Sequence, residues 1–399
     1  MKVGLDTMNI LYLAYAFPPV NIVASHRALF QAVYMAKAGA TVTVVCAEQS
    51  SKRDDPELLR YLQGVPGLTV HNIQPWGTKG SSKTGKFKPS AKSGFWVLRV
   101  AKLVSRLMRT QRFDVVYSTY GPKYPHLAGR LIHALHKIPW VVEFRDPWHG
   151  GRKNRQESST FGVAFERWLL KPVELFVSVS SGFSEILASI HGKSRQYEVV
   201  YNGFESTAVE HTRPDMPIAS KPDQGSFKVI LVGTLYPFQL PSLEILLQAM
   251  QRVPEVTFHY YGSSTENAQQ MIDRYALSLR SVLHGLVPHK EVIQQVKGAN
   301  VAFLPGSTEF KGIIPVKFYD YLGTRTPVLM INGAKTELES IIQNTDSGVN
   351  IDTIEEVTEW LTRLSSGKIS YSFKGADFYT RKNQAEQLLQ HLKTYVSKP

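Results

Sequence analysis

Polar and charged side chains follow apolar, strand-like runs at several points of the sequence, and the first group lies in segment 16–27. It contains Asn21, Ser25 and Arg27 at the start of a helix-like stretch. The first N–H groups of a helix have no partner within the helix, and the helix dipole favours an anion there. The segment is therefore a candidate anion site. A helix cap at Ser25 and a solvated Arg27 explain the same residues equally well.

Two more groups in the first half have side chains suited to catalysis. Arg145 and Asp146 follow the apolar run 140–144. A carboxylate at the carboxyl end of a parallel strand lies on the ligand-binding edge of the sheet. Asp146 could therefore accept hydrogen bonds from substrate hydroxyls, with Arg145 holding Asp146 or a phosphate. His126 follows another apolar run and is a candidate acid–base group. The alternatives are a structural Arg–Asp pair and a histidine without a chemical role.

Two groups in the second half of the sequence suit a phosphate. Gly233 and Thr234 follow an apolar run, and a glycine lets a phosphate approach backbone N–H groups. Pro315 suits the first turn of a helix, where Lys317 could meet a diphosphate. Asp320, one turn later, could accept from ribose or sugar hydroxyls. The alternatives are a plain turn at Gly233 and a solvated helix with an ion pair between Lys317 and Asp320.

Short apolar runs alternate with amphipathic segments of helix length, which is typical of parallel sheets covered by helices on both faces. The predicted strands are 9–14, 41–46, 68–73, 114–118, 140–144, 174–178, 197–201, 227–232, 256–261, 281–284, 301–304 and 327–331. We therefore expect two α/β domains whose ligand edges share a cleft.

The domain boundaries are predicted from a break in this pattern. Residues 206–226 are rich in Pro, Ser, Asp and Lys, have no periodicity and read as a linker. The sequence thus predicts a first domain over 1–205 and a second domain over 227–375. The last residues, 376–399, are predicted to form one long terminal helix.

Composition limits the class of protein. The chain has 399 residues, 43% of them hydrophobic, so each half can bury a core of its own. No apolar run approaches the roughly 20 residues that span a bilayer, and the start lacks the pattern of a signal peptide. The single cysteine, Cys46, lies in an apolar run and is expected to be buried and inert. These features predict a cytoplasmic protein.

The excess positive charge is concentrated in residues 51–112. The net charge is +13, and this segment has 13 lysines and arginines against three acids, which suits a phosphate-rich partner. The basic loop 79–92 is a candidate contact with an anionic membrane surface. The amphipathic segment 95–109 is either part of that contact or an ordinary packed helix with a solvated basic face. No nucleic-acid-binding signature or metal-ligand spacing is present, so neither partner is expected.

Taken together, these segments resemble the retaining glycosyltransferases of the GT-B fold, of the glycosyltransferase family 4 type that builds bacterial surface polysaccharides. The matching segments, in this order, are Phe17-Pro18-Pro19, Arg145-Asp146-Pro147-Trp148, Tyr201-Asn202-Gly203-Phe204, Gly285-Leu286-Val287-Pro288-His289 and Pro315-x-Lys317-x-x-Asp320-Tyr321-Leu322. The resemblance covers nearly the whole chain. It implies two facing Rossmann-like domains, with a C-terminal helix that crosses back to the first domain.

The resemblance also implies a function and a set of site residues. It implies transfer of a sugar from a nucleotide sugar to a glycan or polyprenyl-linked acceptor, without cofactor or metal, at the inner face of the cell membrane. The implied donor-binding residues are Gly233, Thr234, Val287, His289, Ile313, Pro315, Lys317, Phe318 and Asp320. The implied acceptor-binding residues are Asn21, Ser25, Arg27, Arg145 and Asp146, and the catalytic candidates are Asp146, His126 and Lys317.

The sequence departs from the family pattern at several positions. Residues 21–24 replace paired glycines of the first loop, and Gly312 replaces the first Glu of a Glu-x7-Glu pair whose second position is Asp320. The Arg and Lys that usually follow the glycine of the second domain are not evident, and Thr234 and Gln239 stand nearby. Two alternatives therefore stay open: a non-catalytic binding or assembly protein that kept the fold, and a sugar-nucleotide epimerase.

Overall fold

The chain folds into two compact units, each with one parallel sheet. The computed structural model describes residues 7–48, 54–75, 94–150, 160–206, 227–306, 312–333 and 335–398. One unit comprises Met1–Asn202 with Arg381–Pro399, and the other comprises Gly203–Thr380. The predicted basic loop 79–92 and all but the first residue of the predicted linker lie outside the described residues.

The first unit is built on a seven-stranded sheet in the order β3-β2-β1-β4-β5-β6-β7, with all neighbours parallel. Its strands are β1 (Asn9–Leu13), β2 (Thr41–Ala47), β3 (Leu68–Ile73), β4 (Val115–Thr119), β5 (Trp140–Phe144), β6 (Leu175–Ser178) and β7 (Gln196–Val199). The chain crosses from one side of β1 to the other when it enters β4. The carboxyl ends of β1 and β4 therefore flank the switch point where such sheets bind ligands.

Helices cover both faces of this sheet. They are α1 (Val23–Lys37), α2 (Gly94–Leu107), α3 (Tyr124–His136), α4 (Thr160–Leu169) and α5 (Ser181–His191). A separate buried apolar cluster lies on each face. The helix boundaries follow local chemistry, as at α5, where the Ser180 hydroxyl accepts a hydrogen bond from the N–H of Phe183.

The second unit repeats the plan with a six-stranded parallel sheet in the order β10-β9-β8-β11-β12-β13. Its strands are β8 (Phe227–Val232), β9 (Val256–Tyr261), β10 (Ser281–Leu283), β11 (Val301–Pro305), β12 (Val328–Ile331) and β13 (Gly348–Asn350). Its helices are α6 (Leu240–Arg252), α7 (Thr265–Arg274), α8 (His289–Lys297), α9 (Val316–Gly323), α10 (Glu337–Asn344) and α11 (Ile354–Ser365). Here the switch point lies between β8 and β11.

The prediction of one long terminal helix is wrong. Residues Ala376–Tyr379 form a short 3-10 turn, and helix α12 begins only at Arg381 and ends at Val396. Thr380 between them is extended, with φ −72° and ψ 146°, and forms a bridge with Phe204. This backbone pairing interrupts the helix. The 3-10 turn belongs to the second unit, while α12 packs on α1 in the first unit.

One strand differs from the sequence prediction. The strand β13 was not expected, because the sequence Gly348–Asn350 is short and has no apolar run. Helix α7 ends at Arg274, shortly before Ala276, which has a positive φ of 54°. The fold class itself, two Rossmann-like α/β units with a terminal helix that returns to the first unit, is confirmed.

The basic amphipathic segment is a packed helix. On α2, Trp96, Val100 and Val104 are buried against the sheet, and the helix packs beside α3. Arg99 lies on the outer face and donates a hydrogen bond to the carbonyl of Gln74 at 2.8 Å. The packed-helix interpretation of this segment therefore describes α2.

Two features bear on the expected compartment. Among the residues that the structure describes, no helix combines the length and the apolar character needed to cross a bilayer. Cys46 is fully buried, and burial raises the pKa of its thiol to about 12, which keeps it protonated and unreactive as predicted.

The packing of α12 on α1 predicts a clear effect on stability. We expect Leu388→Ala to lower the free energy of unfolding of the first unit by about 2–5 kcal/mol, because Leu388 is fully buried in the cluster with α1. Urea unfolding followed by circular dichroism measures the change. The control is Gln390→Ala on the exposed face of the same helix, which should change little. Equal effects of the two variants would contradict this packing role.

Candidate functional site

The edge of the first sheet is organised by a buried carboxylate, Glu143, at the carboxyl end of β5. Its Oε1 accepts hydrogen bonds from Arg27 Nε at 3.0 Å and Nη2 at 2.7 Å, from Gln31 at 2.8 Å and from the Tyr117 hydroxyl at 2.6 Å. Its Oε2 accepts from the Thr119 hydroxyl at 2.7 Å. The carboxylate thus ties α1 to β4 and β5.

The surroundings of Glu143 fix its charge. Burial alone would raise the pKa of the carboxyl, but the Arg27 guanidinium and the hydrogen bonds from Arg27, Thr119 and Tyr117 lower it to about 2. The Arg27 guanidinium also donates to the carbonyls of Val200 and Tyr201 and to the Asn202 side chain. The ion pair therefore also holds the last residues of the first unit.

Three predicted site residues of the first unit are buried. The Arg27 guanidinium is engaged inside the unit by Glu143. Ser25 is fully buried. His126 is also fully buried, with Nδ1 bonded to the Ser118 hydroxyl at 2.8 Å, and burial lowers its pKa to about 3. The roles of these three residues toward a substrate stay predictions.

The remaining acceptor candidates lie at the switch-point edge. Asn21 Oδ1 accepts a hydrogen bond from His26 Nε2 at 2.8 Å, and Asn21 Nδ2 donates to Asp55 at 3.4 Å. Arg145 donates from Nε and Nη2 to the carbonyl of Tyr120 at 3.1 and 3.0 Å. Arg145 therefore braces the loops after β4 and β5. The roles of Asn21 and Arg145 toward an acceptor stay predictions.

Asp146 keeps an available carboxylate at this edge. It is half-buried, and within the described part of the chain no hydrogen-bond donor contacts it. The neighbouring Trp148 stacks on Tyr120, with 5.9 Å between ring centroids, and the Lys123 ammonium lies 5.7 Å from the Trp148 ring. An aromatic face, a carboxylate and a cation side by side can bind a sugar or a phosphorylated sugar.

A second buried carboxylate, Glu166 on α4, supports the loop that follows β5. Its two oxygens contact His149 Nδ1 and, at 3.0 Å, His191 Nε2. The bond to His149 fixes the end of the segment that contains Asp146 and Trp148. This contact could not be predicted from sequence patterns, because His149, Glu166 and His191 lie on separate elements.

At the carboxyl edge of the second sheet, glycine follows each strand of the switch point. Gly233 follows β8 with φ +84°, a backbone conformation that favours glycine. Gly306 follows β11, and a Cβ there would lie 2.7 Å from the Cα of Gly333. Side chains are thus kept away from this edge, so that a ligand can approach the backbone.

Helix α9 is fixed at this switch point by Tyr321. The buried Tyr321 hydroxyl accepts a hydrogen bond from the N–H of Val232 at the end of β8, at 3.1 Å. It also lies 3.5 Å from the carbonyl of Phe303 on β11. Lys317 precedes Tyr321 by one turn, so both side chains lie on the same face of α9.

The Lys317 ammonium is buried and has no anionic partner among the residues that the structure describes. Its Nζ atom is inaccessible to solvent, and no group of the described chain forms a hydrogen bond with it. Burial lowers its pKa to about 8. The expected alternative, an ion pair with Asp320, does not form, because Asp320 instead lies 3.1 Å from His289 Nε2. A buried cation at a helix N-terminus is suited to an anionic ligand.

The other predicted donor residues differ in how exposed they are. Phe318 is fully buried, and its N–H bonds to the carbonyl of Pro315. Thr234 is exposed beside Gly233, while Val287, Ile313 and Pro315 are half-buried. Gln239 spans the switch point by donating to the carbonyl of Pro305 at 3.0 Å. The donor contacts of these residues stay predictions.

The sequence analysis missed Glu143 as the organising residue. Its signal was a charged residue inside the apolar strand Trp140–Phe144, opposite Thr119 in the register of β4 and β5. A lone charge between buried apolar residues requires a partner, which is Arg27. Among the described residues, no cluster of three or more His, Cys, Asp or Glu has metal-binding geometry.

The GT-B fold consists of two units with parallel sheets, each with a ligand edge at its switch point, and a terminal helix that returns to the first unit. The chain has these features. Residues 24–203 match the family model described as glycosyl transferase 4-like domain. A search of curated protein sequences gave no match.

Solved structures of low sequence identity share this fold over the full length of the chain. A glycosyltransferase from Rickettsia africae has a TM-score of 0.67 at 12% identity, covering 99% of this chain and 100% of its own. Anabaena HepE in complex with UDP-glucose has a TM-score of 0.57 at 15% identity, covering 98% of each chain. The lipopolysaccharide outer core galactosyltransferase WaaB has a TM-score of 0.58 at 13% identity, covering 98% of this chain and 99% of its own.

The Glu143 ion pair predicts a specific pH dependence of stability. The folded pKa of about 2 lies below the ordinary value, so the carboxylate stabilises the fold above about pH 4.3 and this contribution is lost as pH falls toward 2. Glu143→Gln should therefore be less stable than wild type by about 3 kcal/mol at neutral pH. The difference in free energy of unfolding between wild type and Glu143→Gln should become smaller at acid pH. Urea unfolding at several pH values measures it, and a gap that stays constant down to acid pH would contradict the assignment.

Proposed function

We propose that the protein is a glycosyltransferase that moves a sugar from a nucleotide-sugar donor to a glycan or lipid-linked acceptor in bacterial polysaccharide synthesis. The observation that carries the proposal is the Lys317 ammonium at the switch point of the second sheet, which is buried and has no partner within the described part of the chain. A diphosphate is the anion of a nucleotide sugar that would complete this site. The glycosyltransferase family domain over residues 24–203 supports the same reaction class.

In the proposed donor site, the diphosphate lies against the N-terminus of α9 and Lys317. The ammonium and the first N–H groups of the helix offset the negative charge that develops on the leaving diphosphate, an effect worth several kcal/mol in sites of this kind. We propose that these groups do so without a metal ion. Asp320 and His289 lie together beside this position and are proposed to contact ribose or sugar hydroxyls.

In the proposed acceptor site, Asp146, Arg145 and Asn21 at the edge of the first sheet orient the acceptor hydroxyl. We propose transfer with retention: the bond between the anomeric carbon and the donor phosphate breaks, and the bond to the acceptor oxygen forms on the same face. The proton of the acceptor hydroxyl goes to the departing phosphate oxygen. No protein nucleophile is then required, which agrees with the burial of His126.

Two of the similar structures guide the choice of substrates to test first. HepE was solved with UDP-glucose, which supports a UDP-sugar donor, and WaaB is a lipopolysaccharide galactosyltransferase, which supports a polysaccharide acceptor. We propose that the protein acts in the cytoplasm, in contact with an anionic membrane surface that holds the acceptor. Product analysis tests the reaction class with radiolabelled UDP-sugars, with and without a lipid-linked glycan fraction. Labelled glycan appearing only with acceptor supports transfer, and a changed sugar nucleotide from donor alone would instead show an epimerase.

The Lys317 site predicts a selective loss of affinity. We expect Lys317→Met to weaken UDP binding by about tenfold to a hundredfold, because one charge-assisted contact to the diphosphate is lost, and to leave uridine binding unchanged. Isothermal titration calorimetry measures both affinities. Lys368→Met, at an exposed lysine of the same unit, is the control and should match wild type. An equal loss for UDP and uridine would remove Lys317 from the diphosphate site.

The lowered pKa of Lys317 predicts how UDP affinity changes with pH. Only the protonated amine attracts the diphosphate, so affinity should be constant near pH 7 and fall as pH rises through about 8. The fall should approach about tenfold per pH unit, and binding near pH 8 should take up a proton. Calorimetry in buffers of different ionisation enthalpy detects this uptake. If Lys317→Met shows the same pH dependence as wild type, another group is responsible.

A further inference from the structure

Helix α4 presents an exposed row of aromatic side chains that the proposed reaction does not use. Phe161, Phe165 and Trp168, here called the aromatic stripe, are spaced four and three residues apart and lie on one face of the helix. Phe161 is 81% exposed and Trp168 is 59% exposed, while Phe165 is half-buried. Large apolar side chains grouped on a surface mark an interaction site.

The aromatic stripe continues to the candidate acceptor edge. The Phe165 ring lies 5.8 Å from the Trp168 ring and 6.1 Å from the Trp148 ring, measured between centroids. Trp148 follows β5, two residues after Asp146. A partner that covers the stripe would therefore lie beside the residues proposed to orient the acceptor.

Charge on α3 and α4 favours one kind of partner. The Arg130 guanidinium lies over the Trp168 ring at 6.0 Å. Arg167, which precedes Trp168 in the sequence, is exposed and donates from Nε to the carbonyl of Ile190 at 2.7 Å. Helix α3 contains no acid, and the only acid of α4, Glu166, is buried against His149 and His191. The exposed surfaces of these two helices thus combine aromatic rings with cations and no carboxylate.

We propose that the aromatic stripe inserts into the interface of an anionic phospholipid bilayer, with Arg130, Arg167 and the nearby Lys171 at the headgroups. Tryptophan rings favour the bilayer interface, and an amphipathic helix with basic flanks binds anionic lipid in this orientation. The inference deepens the proposed function, and rests on it for the lipid-linked acceptor, by naming the surface that would bring the acceptor edge to the membrane.

Vesicle binding tests this inference directly. The full chain is sedimented with phosphatidylcholine vesicles that contain or lack phosphatidylglycerol. We expect binding to the anionic vesicles and a loss of at least about tenfold in apparent affinity for the variant Phe161→Ser/Trp168→Ser. Both side chains are largely exposed, so the variant should fold. Leu279→Ser is the control, because it removes a fully exposed apolar side chain from the second unit and should bind as wild type does.

Three results would overturn the inference. In the first, the wild-type protein does not bind anionic vesicles. In the second, the double variant binds them as well as wild type does. In the third, no vesicle binding is seen and the wild-type protein is a dimer, whereas the double variant is a monomer. The last result would assign the stripe to a second copy of the chain. UDP binding by the same preparations separates the two proposals, because wild-type protein that binds UDP but does not bind anionic vesicles contradicts only the membrane surface.

Discussion

The buried ion pair between Glu143 and Arg27 is the interaction on which the first unit depends. Two charges removed from water are tolerated only where hydrogen bonds satisfy their remaining atoms, and here α1, β4, β5 and the segment 200–202 all contribute. The pair thereby sets the position of the loops that start at the carboxyl ends of these strands. Arg145 and Asp146, the nearest candidates for acceptor binding, begin directly after it.

The second unit also buries a charge, the Lys317 ammonium, but within the described residues it lacks the pairing that Glu143 has in the first unit. The Lys317 ammonium is held at the switch point by α9, which Tyr321 anchors to the ends of β8 and β11, but the described chain offers it no anion. The cost of burying an unpaired cation appears in its lowered pKa.

Much of the fold could be predicted from the sequence, and less of the site. Strands such as Phe227–Val232 and Val256–Tyr261 were predicted with the bounds they have, because continuous apolar runs mark buried parallel strands. The break at Thr380 depends on pairing with Phe204, which is distant in sequence and leaves no local pattern. Arg27, Ser25, His126 and Phe318 were likewise assigned to ligands by their position in loops and helix starts. Their burial depends on tertiary contacts, such as the ion pair of Arg27 with Glu143, which leave no local sequence pattern.

The most direct test of the account is a calorimetric titration of the full-length protein with a panel of nucleoside diphosphates and nucleotide sugars. The account predicts saturable binding to diphosphates of one base, with the free nucleoside binding more weakly, because Lys317 and the N-terminus of α9 require the diphosphate. Binding of the corresponding nucleotide sugar would then identify the donor. Absence of binding to every member of the panel would contradict a donor site at Lys317 and would favour a non-catalytic protein that kept the glycosyltransferase fold.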